Sequence, residues 1–249
     1  MTNVNNQFLV GEAADQAVNE AENSGKSSAK FSSLKSGTTY TVKLIGLKDY
    51  FQFYSYGIFN QVDSFVAENP SKKTAKGFPV DNLTPWDKAF RYHKDLSEDW
   101  TDAHSQEAQK YKPKSRFAQA FFDLTSGEVI AVDLSSKQHA AIKASIEKYA
   151  KRKDKIAFEL SKTGESTGTV VSLSPVIDME EDLTDEQRAN FEKAPSEIDM
   201  TQFFSAPYVA NEQEQIEALV KAGFDISLIG LSLGASNEGT TVQDEQLPF

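Results

Sequence analysis

Hydrophobic residues first organise themselves at Thr38, where TTYTVKLIGLKDYFQFYSYGIF packs β-branched and aromatic residues densely and is broken only by Gly46 and Gly57. This pattern predicts one long strand or two paired strands through Phe59, extending towards Val66, with Leu47-Lys48-Asp49 as a turn. SRFAQAFFDL and EVIAVDL flank Thr125-Ser126-Gly127 and predict a β-hairpin, with Gly127 supplying the positive-φ position. In SSKQHAAIKASIEKYAKR, a capping Ser135 or Ser136 precedes Ala140, Ile142, Ile146, Tyr149 and Ala150 in approximate helical period. KIAFELSKTG and GTVVSLSPV then predict two strands around the turn from Gly164 to Gly168.

Between the first strands and the hairpin, residues 68–114 alternate poorly, carry four prolines and are only intermittently helical, with Thr84 capping a start at Pro85. An insertion of that length is usually functional or disordered. Strands, insertion, hairpin, one helix and two closing strands predict a mainly β chain: a five-stranded oligonucleotide-binding (OB) barrel or a close relative, with one packed helix. A generic α+β domain is the alternative. Residues 1–29, poor in apolar side chains, predict a mobile arm. Beyond Val176 the chain turns acidic: Thr184 caps a short helix through Phe191, NEQEQIEALVKAGFD predicts another ending at Gly223, and the remainder predicts a tether ending in Leu247-Pro248-Phe249. The expected organisation is an arm over 1–29, a barrel over 30–176 and an acidic C-terminal region over 177–249.

Charge sharpens this division. The chain of 249 residues carries a net charge of −11, an average that hides a segregated distribution. Residues 30–175 hold 22 Lys and Arg against 17 acids, whereas residues 176–249 hold 3 against 16. A basic middle and an acidic end suit a domain that meets an anion and a tail with another task. Cysteine is absent, which removes thiol chemistry and gives no reason to expect an oxidising compartment; the start MTNVNNQFLVGEAADQ has no secretory pattern, so a cytoplasmic location is expected.

An enzyme needs a constellation, and several motifs that usually anchor one are missing: no G-x-x-x-x-G-K-[ST], no G-x-G-x-x-G and no H-E-x-x-H. His93, His104 and His139 show no metal-ligand spacing, and Glu180, Glu181 and Asp182 are more simply a solvated acidic linker. The expectation is a non-enzyme without metal or cofactor.

Binding has more support. Tyr50, Phe51, Phe53, Tyr54, Tyr56 and Phe59 fall within ten positions, more rings than one face of a strand can hide. They either form core on one side and a subunit contact on the other, or offer faces to unpaired bases; the mixed Tyr and Phe composition favours bases. The insertion adds Lys72, Lys73, Lys76, Trp86, Arg91 and Tyr92, and its end adds Tyr111, Lys112, Lys114, Arg116 and Phe117. Cations interleaved with rings suit a groove for a flexible polyanion. Lys148, Lys151, Arg152, Lys153 and Lys155 serve a helix end and phosphate contact equally well.

The run from the hairpin through SSKQHAAIKASIEKYAKRKDKIAFELSKTGESTGTVVSLSPV, followed by an acidic helix starting DLT, resembles the single-stranded DNA-binding proteins of tailed bacteriophages. That resemblance covers roughly residues 30–195 in layout and implies an OB barrel that coats single strands without sequence preference in replication, recombination and repair. In the bacterial host it would act in the cytoplasm. The ending DEQLPF is similar to the acidic tip of bacterial single-stranded DNA-binding proteins, with Asp244, Glu245, Leu247, Pro248 and Phe249 at matching positions and Gln243 and Gln246 departing from it. It implies recruitment of replication or recombination proteins by the tail. Some phage relatives bind zinc through cysteines, which this chain lacks. A phage structural or assembly protein and a single-strand annealing recombination protein remain as alternatives, and RNA remains open beside DNA.

Overall fold

The computed structural model describes residues 30–233. In chain order the strands are β1 (Thr39–Lys43), β2 (Tyr50–Ile58), β3 (Val62–Ala67), β4 (Lys72–Lys73) and β5 (Pro79–Asp81), followed by helices α1 (Pro85–Leu96) and α2 (Ala103–Tyr111). Then come β6 (Lys114–Asp123), β7 (Glu128–Ser135), α3 (Ser136–Tyr149), β8 (Phe158–Thr163), β9 (Val170–Pro175), α4 (Met179–Asp182), α5 (Asp185–Lys193), β10 (Val209–Ala210) and α6 (Glu212–Lys221). Hydrogen bonding orders one sheet as β10-β3-β2-β6-β1-β8-β9 with β7 on β6, and β4 pairs with β5 separately. The sheet of eight strands is open, and six α-helices accompany it among the described residues. The fold is therefore mixed α/β, and the expected mainly β character is met only in part. No described helix is long and apolar enough to cross a membrane.

Contacts divide the described residues into two units, one holding 30–53 with Ser115–Pro207, the other Tyr54–Lys114 with 208–233. The insertion is folded, and residues 208–233 of the acidic C-terminal region group with it.

In the first unit the two-residue period of strands sets the core. Ile130, Val132 and Leu134 of β7, Phe158 and Leu160 of β8, and Val171 and Leu173 of β9 all point inward, joined by Phe121 and Val42. Ile142 and Ile146, one helical turn apart on α3, cover them. Ser135 caps α3 by accepting from the Gln138 amide, and Gln138 returns the bond to the Ser135 amide, as the sequence leads one to expect. The β6–β7 hairpin turns at Gly127 (φ 70°), and β8–β9 turns at Gly164, where a Cβ would stand 2.6 Å from the Gly168 carbonyl oxygen. On the other side of β6, Phe122 packs with Leu183 and Phe191 from the acidic region.

The second unit buries Trp86, Phe90, Tyr111, Phe65 and Tyr56 with Leu219 and Phe224. The helix expected within NEQEQIEALVKAGFD is present and supplies core: α6 is capped by Asn211, Trp86 Nε1 donates to the Gln215 carbonyl (3.0 Å), and β10 lies parallel to β3. Thr84 caps α1 in a box with Asp87, and Asp87, fully buried, accepts from the Tyr56 hydroxyl at 2.9 Å. This carboxylate closes a helix end and satisfies a buried phenol together.

Asp87→Ala removes both roles and should destabilise the second unit by about 2–4 kcal/mol. Urea unfolding followed by tryptophan emission tests this, because Trp86 sits in the same core; an unchanged midpoint would contradict it.

Candidate nucleic-acid interface

Because neighbouring side chains on a strand face opposite ways, the first half of β2 must present rings on two sides. In the first unit, one side carries Tyr50. Its ring meets His139 edge-on at 4.4 Å and Phe117 of β6 at 6.2 Å, while His139 lies flat on Phe117 at 4.1 Å and 3°. Tyr50 and Phe117 are half-buried, whereas His139 is 5 % exposed. His139 occupies the first turn and a half of α3, where the Ser135 cap positions it.

The other side carries Phe51 and Phe53, 5.9 Å apart. Phe31 stacks on Phe53 at 5.8 Å and 20°, and Phe204 meets Phe51 edge-on at 5.0 Å. Phe204 is 58 % exposed, and Phe31, Phe51 and Phe53 are half-buried. Beneath this row, Phe203 is buried against Ala120 of β6 and Ala131 of β7, small residues that leave room for its ring. Four phenylalanine rings therefore form a continuous, partly solvated apolar row: a surface on which flat bases can stack.

Charge accompanies the rings. The segments 30–53 and 115–175 hold 13 Lys and Arg against 8 acids, whereas 54–114 is balanced at 9 against 9, so the basic excess of the middle region lies in those two segments, and residues 176–207 of the same unit offset it with 2 against 9. Lys35, Lys48, Lys137, Lys148, Lys151, Arg152 and Lys155 are exposed there. Arg116 is already committed to Asp133, with Nε at 2.8 Å and a second nitrogen at 2.7 Å, and so serves the hairpin before any phosphate.

The second unit changes the roles of the remaining expected residues. Tyr56, Trp86 and Tyr111 are core side chains, at most 2 % exposed. They offer no face to a base, and the expectation is corrected for these three. They read as ligand-facing in the sequence because a ring beside a lysine looks the same whether the ring faces in or out. Tyr92 is half-buried with its edge towards Phe224. Tyr54 is half-buried and has Lys73 Nζ over its ring at 4.8 Å; that ammonium also donates to Ser71, and burial lowers its pKa while the Asp87 charge acts in the opposite direction. Lys112 lies over Phe78 at 5.1 Å, Lys114 donates to the Gly57 carbonyl at 2.7 Å, and Lys72 pairs with Asp81 at 3.1 Å. Lys76 and Arg91 are exposed, and Phe59 is 90 % exposed at the end of β2. The expected partner-binding residues Asp244, Glu245, Leu247, Pro248 and Phe249 lie outside the described residues, as does the arm over 1–29.

Sequence reasoning missed Phe31, Phe204 and His139 as parts of this arrangement. Phe31 and Phe204 reach the row from distant segments, although the Phe203-Phe204 pair in an acidic stretch was a legible signal of a docked turn. Among the described residues, no group of three or more His, Asp or Glu is arranged to hold a metal ion.

His139 makes the first-unit cluster sensitive to acid. Burial lowers its pKa, with Lys143 adding to the effect, and Nδ1 has no protein partner. A base whose folded pKa lies below its unfolded value of about 6.5 contributes its full stability above that pH and loses it as pH falls. Thermal unfolding between pH 7.5 and 5 should therefore show a fall in melting temperature that His139→Phe reduces; an equal fall in both proteins would contradict the assignment. Comparison with known proteins yields no relative: no protein-family model matches the chain, and no curated protein or solved structure matches it significantly.

Proposed function

We propose that this chain is a non-catalytic single-stranded DNA-binding protein that covers unpaired strands without regard to base sequence, acting in the host cytoplasm during bacteriophage replication, recombination and repair. The observation that carries the reading is the partly solvated row Phe31, Phe53, Phe51 and Phe204, backed by the Tyr50 and Phe117 pair on the opposite face of β2, in the unit that contains the basic segments 30–53 and 115–175. Base stacking on such rings tolerates sequence, because every base has a π-face, and lysines neutralise the phosphates.

Strand order supports the same reading. Within the first unit β7-β6-β1-β8-β9 are neighbours in that order, with α3 between β7 and β8. The order is compatible with an OB barrel left partly open, and in such barrels the second and third strands and first connecting loop meet oligonucleotides. Here those strands are β6 and β7, and the loop begins with the aromatic start of β2. The acidic C-terminal end fits a recruiting role for replication proteins, as its resemblance to bacterial tail tips implies.

Fluorescence anisotropy with labelled oligo(dT) tests the ring row. Phe51→Ala and Phe53→Ala should each weaken binding by about 5–150-fold, the equivalent of about 1–3 kcal/mol per stacked base, while circular dichroism stays unchanged. Affinity should fall with added salt and be far lower for duplex. Wild-type affinity in both variants would overturn the reading. Removing residues 240–249 should preserve or raise affinity for oligo(dT) and abolish capture of the replicative polymerase or helicase; capture that persists would refute the tail's role.

A further inference from the structure

Two histidines with no motif spacing in the sequence meet in the second unit. His93 lies near the end of α1 and His104 near the start of α2, and their Nδ1 atoms stand 3.0 Å apart with the rings tilted by 35°. The His93 ring is fixed from behind: it lies parallel to Tyr111 at 5.8 Å and 8°, with the edges of Phe224 and Tyr92 against it. His104 is exposed, so the pair opens to solvent.

We propose that His93 and His104 form a two-imidazole chelate for a first-row transition cation of the zinc, nickel or copper type. Imidazole nitrogens bind such ions at about 2.0–2.1 Å, so nitrogens 3.0 Å apart subtend about 91–97° at a shared ion, close to the angle between adjacent ligands in octahedral or five-coordinate geometry. At 3.0 Å the two nitrogens share a hydrogen bond, one donating and the other accepting, and the ion takes the place of that shared proton, which is released to solvent. Charge on the surrounding elements is compatible with the ion: Glu107, one turn beyond His104 on α2, holds its carboxylate on Lys110 and the Tyr111 hydroxyl and favours positive charge at His93. Water completes the coordination, since no third described side chain joins the group. Bound there, the ion ties α1 to α2 across residues 97–102, where Asp99 and Asp102 already organise the backbone turns.

This site is independent of the DNA-binding reading. Untagged full-length protein, first treated with EDTA, is titrated calorimetrically with zinc, nickel and magnesium chlorides at pH 7, and its melting temperature is recorded with each. Zinc and nickel should bind at one ion per chain and raise the melting temperature in a manner EDTA reverses; magnesium should do neither. H93Q and H104Q should each lose at least tenfold in affinity, since even outer-shell changes at metal sites cost about 10–100-fold. Should either variant fail to fold, histidine ring NMR of the wild type decides, because zinc must shift the resonances of both rings together. Absence of zinc and nickel binding, unaltered binding in folded variants, or ring resonances that ignore zinc would each overturn the proposal.

Discussion

The two-residue period of an extended strand is the constraint on which the rest of this structure depends. Between Tyr50 and Ile58 the chain places five rings, and alternation sends Phe51 and Phe53 to one side and Tyr50 and Tyr54 to the other. Neither side can be emptied of aromatics without altering the strand itself. The fold responds with residues brought from far along the chain: Phe31, Phe203 and Phe204 come to one face, and Phe117 and His139 to the other. Coverage is partial, so apolar surface stays in contact with water along four phenylalanine rings. A stacking surface of this kind is costly to leave bare and useful for flat ligands.

Farther along the same strand, the outcome is reversed. Tyr56 faces Phe65 and Trp86 and donates its hydroxyl to a buried Asp87, so ring, carboxylate and helix cap become one structural joint. Gly57 (φ 139°) lets β2 and β3 shift register at this point, with backbone atoms of β3 about 3.1 Å from where a Cβ would stand. One strand thus spends its first half on partly open rings and its second on core.

Local patterns were legible where one residue's neighbours decide its place. The Ser135, Thr84 and Thr184 caps, the hairpin at Gly127, the strand pair about Gly164 and the helix stripe Ile142 and Ile146 all follow from spacing and side-chain chemistry. What spacing could not reveal depends on distant partners. Residues 68–114 looked irregular because their apolar positions answer to Leu219 and Phe224, more than a hundred residues later. Trp86 and Tyr111 looked ligand-facing for the same reason. The site was legible in kind, through the density of rings at Tyr50–Phe53, but its composition was not: Phe31 and Phe204 join by tertiary contact alone, and Arg116 is held by a cross-hairpin carboxylate.

Contact between nucleobases and the β2 rings is the claim to which everything functional returns, and it can be observed directly. Oligo(dT) carrying 5-iodouracil, bound to the intact protein and irradiated, forms covalent links to the aromatic side chains it stacks on, and peptide mass spectrometry locates them. The account predicts links concentrated at Phe51 and Phe53, with Phe31, Phe204, Tyr50 or Phe117 as neighbours. Links confined to residues 54–114, or a bound oligonucleotide that marks no ring of the first unit, would contradict it.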